Sequence, residues 1–309
     1  MTLRVRNLRK HFGDTHAVND VSFEICGGDI IGFVGPNGAG KTTTLRILAT
    51  LEEPTSGDVE LNSRSLIDNP EFGRGLVGFV PDSLPVHADM NVHEYLDFFA
   101  RAYGIKARQR EKLIEDLEAF TNLTDKREKM LAALSKGMKQ RVSIARALIH
   151  DPKFILMDEP AAGLDPRARI ELRELLRVLS QQGKGILISS HILSELSEIC
   201  TSALIIEKGN LLKFGLIEDI TRHETHIRRL LIKPIEDLEG LSKHLILVPG
   251  VENLVVNGKM LELDFSGDDA EASLLLKDLV NRDFKLIEFR FKQQNLETVF
   301  MNITKGEVQ

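Results

Sequence analysis

Glycines at 35, 38 and 40 run directly into a lysine and two threonines, in the stretch Gly35-Pro36-Asn37-Gly38-Ala39-Gly40-Lys41-Thr42-Thr43. Backbone without side chains at that spacing turns tightly and aims successive N–H groups inward, which makes a cradle for a polyphosphate. Lys41 would reach the β- and γ-phosphates, and the Thr42 hydroxyl would ligate Mg²⁺. Far along the chain, Asp158-Glu159 offers a carboxylate for Mg²⁺ and a base, and Ser190-His191 follows another apolar run. Phe12, before Gly13, carries an aromatic face that could stack on a nucleobase or pack in a core.

These groups need elements to bring them together. Ile30–Val34 precedes the glycine loop and Thr44–Leu48 follows it, so the order is strand, loop, helix, with the positive end of the helix dipole toward the loop. Leu76–Val80, Phe154–Met157 and Gly185–Ser189 are continuous apolar runs, as expected of parallel strands covered on both faces. Ligands in an open α/β sheet gather at the carboxyl ends of its strands. Lys41, Asp82, Asp158, Glu159 and His191 are therefore expected to face one crevice.

Upstream, residues 3–8 and 21–25 read as strands joined by the turn Phe12-Gly13-Asp14-Thr15, and Pro54–Asp58 is a turn before a short strand, Val59–Leu61. From 91 to 131 the period becomes helical, with Tyr95, Phe98, Phe99 and Ala102 and then Leu113, Ile114, Leu117 and Phe120 as apolar stripes. Leu134-Ser135-Lys136-Gly137-Met138 leads into a helix placed at Val142–Ile149. Ser135 can cap it, and Gly137 lets backbone approach an anion at its N-terminus. Asp165-Pro166 supplies an N-cap and first-turn proline for a helix ending near Gln182, before Gly183.

A domain boundary is expected between Gly215 and Arg222. Beyond it the pattern is strand 229–232, helix 236–244, strand 251–256, an Asn257-Gly258 hairpin turn, strand 260–265, helix 268–280 and strand 285–291. That βαββαβ order fits a ferredoxin-like fold, and a last helix is expected at about Asn295–Ile303.

With 309 residues the chain is long enough for two cores. Lys+Arg 40 against Asp+Glu 46 gives a net charge of −6, without the basic surplus of a chain that coats nucleic acid, so no nucleic-acid partner is expected. No tract reaches the roughly 18 apolar residues of a membrane span, and the first residues lack the apolar core of a signal peptide, which points to the cytosol. Cys26 and Cys200 sit in apolar sequence and are expected as buried, reduced thiols.

Taken in order, the glycine loop, the Ser135 segment, Asp158-Glu159, Leu164-Asp165 and His191 make the chain resemble the ATP-binding cassette (ABC) ATPases over residues 1–220. The resemblance implies a P-loop NTPase: a RecA-like core with an antiparallel β subdomain and a helical insertion at about 91–131, followed by an accessory α+β domain over 226–309. It makes Gly35–Thr43 the Walker A motif, Phe154–Glu159 Walker B, 134–138 the signature, Ala161–Asp165 the D-loop and His191 the switch histidine. Phe12 falls at the adenine-stacking position. Two cassettes, alike or different, would pair head to tail, so that Ser135, Gly137 and Met138 face ATP held by the partner. Glu159 would orient or deprotonate the attacking water, and His191 would hold the γ-phosphate. ATP and Mg²⁺ are the implied cofactors, with Thr42, Asp158 and Asp82 on the metal.

The tail through Asn295–Phe300 resembles subunits of exporters for antibiotics, polysaccharides or sodium, whose membrane permease is a separate chain; this implies a peripheral place on the inner face of the cell membrane. Three positions depart from the family pattern. Asp82 stands where Gln or Glu is usual, and Lys136 and Met138 replace the common Gly and Gln of the signature.

Overall fold

The structure, a computed structural model, describes residues 1–84, 89–221, 228–292, 300, 301 and 304. The chain divides into two compact units, the first holding described residues 1–220 with 300, 301 and 304, and the second holding 221–292.

In the first unit, strands β1 (Thr2–Phe12) and β2 (Thr15–Cys26) are longer than their alternation suggests. The inward set of β1 slips between Val5 and Leu8, where Asn7 takes φ +46° and bulges the strand, so simple period-two reading breaks there. After β3 (Ile30–Val34) and helix α1 (Lys41–Leu48), β4 (Ser56–Leu61) and β5 (Arg64–Ser65) complete an antiparallel sheet of order β2-β1-β4-β5.

Next come α2 (Pro70–Arg74), β6 (Val77–Val80), α3 (Val92–Ala102), α4 (Ala107–Phe120), α5 (Lys136–Leu148), β7 (Phe154–Asp158), α6 (Pro166–Gln181) and β8 (Gly185–Ser190). Then follow α7 (Leu193–Ser197), β9 (Ser202–Glu207), β10 (Asn210–Leu216) and α8 (Ile217–Thr221). The large sheet runs β10-β9-β3-β8-β7-β6, parallel except for the β10 edge.

Strands β3, β7 and β8 are buried at every residue, yet they still alternate between two cores. Phe33, Leu156 and Leu187 join the antiparallel sheet and α1, whereas Ile155, Met157 and Ile188 join α3, α4 and α5. The helical insertion opens with a capping box, Asn91 and Glu94 exchanging backbone bonds. Helix α5 starts at Lys136 rather than Val142, because Ser135 accepts from Met138 N at 3.3 Å and caps the chain at once despite the glycine in its first turn.

The second unit holds β11 (Arg228–Pro234), α9 (Leu238–Leu245), β12 (Val251–Asn257), β13 (Met260–Phe265), α10 (Asp269–Asn281) and β14 (Leu286–Phe291). Its sheet order β12-β13-β11-β14, antiparallel at each pairing, is the ferredoxin-like arrangement. Leu230, Ile232, Leu261 and Leu263 pack with Leu241, Leu245, Leu275 and Leu279 of the helices as its core.

The helix expected at 295–303 lies outside the described residues except for Phe300 and Met301; Phe300 packs against the core of the first unit, whereas the sequence reading gave 226–309 to the second. Cys26 is exposed, contrary to expectation, because β2 turns Ile25 inward and so its neighbour outward. Cys200 is buried, and burial pushes its thiol far above the ordinary cysteine range.

Candidate nucleotide-binding site

Strand register decides what meets at the carboxyl edge of the large sheet. Val34 of β3 lies opposite Ser190 of β8, Asp158 of β7 opposite Ser189, and Val80 of β6 opposite Met157. The residues just past those ends, Gly35, His191, Glu159 and Pro81, therefore emerge along one edge.

The loop after β3 is wedged between the two sheets. A Cβ at Gly40, whose φ is +102°, would stand 2.1 Å from the Ala17 carbonyl oxygen of β2. One at Gly35 would stand 2.4 Å from that of Ile206 in β9. Only glycine fits at both places, and the Gly209 N–H donating to Ala39 O at 3.0 Å fastens the loop to the β9–β10 turn. Lys41, the first residue of α1, is buried and donates to the carbonyls of Gly35 at 2.7 Å and Pro36 at 3.1 Å. Burial holds its pKa below the usual lysine range, against the opposing pull of Glu159 and Asp158.

Six residues then form a connected set. Thr42 Oγ1 donates to Asp158 Oδ2 at 2.8 Å, and Ser189 Oγ donates to Asp158 Oδ1 at 2.6 Å while accepting from Glu159 N at 3.0 Å. Glu159, at φ +48°, leaves the strand and turns its carboxylate to His191 Nδ1 at 2.8 Å and to Lys41 Nζ at 3.8 Å. One hydroxyl beside one carboxylate suits Mg²⁺, which keeps several waters and takes further oxygens from phosphate. Among the described residues no cluster of three or more His, Cys, Asp and Glu offers the all-protein cage of other metals. The glycine cradle with its buried ammonium suits the triphosphate.

Of the residues singled out in the sequence, Lys41, Thr42, Asp158, Glu159 and His191 are brought together. Asp82 lies exposed past β6, and among the described residues no hydrogen bond or ion pair ties it to Thr42 or Asp158. Phe12 stands at the tip of the β1–β2 hairpin, 49% exposed, with Lys10 Nζ 4.8 Å from its ring centre; it is a surface aromatic, not a core one. Ser135, Gly137 and Met138 form the start of α5, beside the Ala161–Asp165 turn, and Asp165 caps α6 by accepting from Ala168 N at 2.9 Å.

Among the described residues no hydrogen bond joins Ser135, Gly137 or Met138 to the glycine loop. Sequence reading missed Ser189, a fully buried residue that serves both Asp158 and Glu159. A polar residue in a buried strand, one position before the Ser190-His191 pair, was the available signal.

The family model described as "ABC transporter" matches residues 18–162, from β2 through the Asp158-Glu159 edge. The Nod factor export ATP-binding protein I of Burkholderia lata is 40% identical over 98% of this chain and 97% of its own. A solved ATP-binding subunit of an ABC transporter superposes with a TM-score of 0.65 at 32% identity, over 72% of this chain and 92% of that one. A dimeric cassette in a post-hydrolysis state with ADP and Pi shares the fold, with a TM-score of 0.63 at 23% identity over 69% of this chain and 98% of its own. The chain belongs to the ABC transporter family, as one of its ATP-binding, ATP-hydrolysing subunits.

Proposed function

We propose that this chain drives export through a separate membrane permease, by pairing with a second cassette, its own copy or another, around two ATP molecules. The observation that carries this reading is the division of the site. Lys41, Thr42, Asp158, Glu159 and His191 converge in one chain, while Ser135 and Gly137 stand apart at the start of α5 with no described bond to them. A second chain supplies what the first lacks.

In this reading Phe12 stacks on adenine, the loop N–H groups hold the phosphates, and Lys41 exchanges its two carbonyl partners for phosphate oxygens. Thr42 and Asp158 would hold Mg²⁺, with Asp82 reaching it through water, and the ion once bound would supply positive charge against the phosphoryl oxygens. Glu159 takes the proton of the water that attacks the γ-phosphorus, the bond to the β-phosphate oxygen breaks, and ADP and phosphate leave. His191 gives up its bond to Glu159 and holds the γ-phosphate. Leu164 and Asp165 link the two sites across the pair.

Movement passes to a permease seated on the helical insertion, where Phe98 and Tyr103 are exposed. None of the helices is long and apolar enough to cross a membrane, among the described residues, so the chain would sit on the inner face of the membrane through that partner. The full-length relative named for export supports the direction.

The test is Glu159→Gln followed by light scattering. The variant should bind ATP, hydrolyse none and double its mass on adding ATP. A mass that never doubles would remove the pairing. With the permease in liposomes, the unmodified chain should move substrate on ATP addition, and hydrolysis without movement would remove the transport role.

A further inference from the structure

Along the facing sides of α5 and α6, with the end of α4 as its third wall, lies a cavity of about 330 Å³ that is separate from the glycine loop. Its walls are mostly apolar, with Phe120 from α4, Ile144 from α5, Leu164 from the turn before α6, and Leu172 and Leu175 from α6 itself. The two helices come close near their starts, where a Cβ built on Gly137 would stand 3.4 Å from Ala168 Cβ. Small-molecule sites have this form: apolar walls with a few placed polar groups.

Among the described residues, a polar side chain in that wall has nothing to bond. Gln140 is 8% exposed, and its Nε2 has no hydrogen-bond partner. An unpartnered buried donor costs free energy that a ligand acceptor recovers. Its polar neighbours are already engaged. Thr121 Oγ1 donates to Leu117 O at 2.7 Å, and Arg141 donates to Asn122 O at 3.2 Å and to Glu171.

The charges at the cavity narrow the ligand. Arg141, the cation in the wall, is paired with Glu171, and Glu174, which also lines the cavity, accepts from Arg177 at 3.0 Å. A carboxylate there would meet two glutamates with the counter-cation taken, whereas an uncharged carbonyl meets the amide alone.

We propose that this cavity binds an uncharged, largely apolar molecule through one carbonyl oxygen accepting from Gln140 Nε2, and that the occupant slows ATP hydrolysis from outside the nucleotide site. Position supplies the link. Helix α5 begins at the Ser135 cap, α6 begins at the Asp165 cap a few residues past Glu159, and Arg141 ties the end of α4 to α6. A molecule wedged among these three helices sets the spacing of both helix starts.

The test uses the neutral naphthyl ketone Prodan, whose emission moves to the blue on burial, added to the full chain without nucleotide. The wild type should give a saturable blue shift. 2-Decanone should displace the probe, and decanoate, a similar chain ending in a carboxylate, should need about tenfold more. Gln140→Leu, which keeps the volume and removes the amide, should weaken Prodan about tenfold, the scale of one lost hydrogen bond, and be no less stable in urea. Val178→Trp, at an exposed position on the cavity wall, should block the probe. In phosphate release, saturating 2-decanone should lower kcat about fivefold with KM for ATP unchanged, in the wild type and not in Val178→Trp.

Equal Prodan binding in the wild type and both variants overturns the site, since the probe then sits elsewhere. A Gln140→Leu protein less stable than the wild type also overturns it, because the amide would then have a partner within the chain. Binding without a change in kcat overturns the control of hydrolysis. The binding measurements are made without ATP, so none of them depends on the pairing of cassettes.

Discussion

His191 Nδ1 lies 2.8 Å from Glu159 Oε2, although the two residues come from different strand ends. Asp158 and Ser189 are register partners, so Glu159 is one step past β7 and His191 two steps past its opposite number on β8. The positive φ of Glu159 swings its carboxylate back across that offset. In the proposed reading the imidazole orients Glu159 before nucleotide arrives and turns to the phosphate afterwards. His191→Ala should lower kcat by about 100-fold or more, the scale of a lost proton-transfer or orienting group. ATP affinity should stay within about threefold, as read by phosphate release and a nucleotide titration.

Ser189→Ala removes the donor to Asp158 and the acceptor for the Glu159 N–H in one step. Second-sphere partners of a metal carboxylate are worth about 10- to 100-fold in metal affinity. The Mg²⁺ concentration for half-maximal ATPase should rise by that factor, with ATP binding in the absence of metal little changed. The part-buried Glu159 N–H would keep Ser189 O, at 3.2 Å, and Asp158 Oδ1 would lose its hydroxyl donor. A loss of about 1–3 kcal/mol in urea unfolding of the first unit should accompany the kinetic effect.

Much of this site is local chemistry and so was legible in the chain. The order strand, glycine loop, helix fixes Lys41 and Thr42 on one helix end, and an apolar run ending in Asp158-Glu159 fixes the carboxylates on a strand end. The accessory βαββαβ order was legible for the same reason, since its strands alternate and Asn257-Gly258 marks its hairpin. What escaped depends on partners distant in sequence. Ser189 matters only because β8 lies beside β7, and α5 begins early because a single side-chain bond at Ser135 outweighs the glycine that follows. The exposure of Cys26 depends on which face of β2 the antiparallel sheet buries, and a bulge at Asn7 in the paired strand blurs that pattern. Asp82 stands near the edge by topology, yet no bond carries it to Thr42 or Asp158 among the described residues.

The two cysteines give a direct check of that register. Cys26 is exposed and sits 3.7 Å from the Thr2 hydroxyl, whereas Cys200 is buried with its thiolate disfavoured. A thiol reagent such as DTNB should label one cysteine rapidly in the native chain and the second only after denaturation, because the thiolate is the reacting form. Cys26→Ser should abolish the fast phase and leave the slow one.

Lys41 makes a prediction about pH. Burial lowers its pKa in the folded chain below the 10.5 of a free lysine. Between the lowered value and 10.5 the unfolded chain binds more protons than the folded one, so stability rises with pH across that window. The cost of burying the ammonium is present below the folded pKa and is gone above the unfolded one. The stability of the wild type relative to Lys41→Met should therefore climb as pH rises through the lowered pKa toward 10.5, measured by urea unfolding of both proteins side by side. Nucleotide separates them further. ATP with Mg²⁺ at a hundredfold excess over Kd should stabilise the wild type by about 2.7 kcal/mol. The same concentration should barely move Lys41→Met, whose loop keeps its N–H groups but has lost the cation that reaches the outer phosphates. An equal shift in the two proteins would mean that the triphosphate does not lie over Lys41.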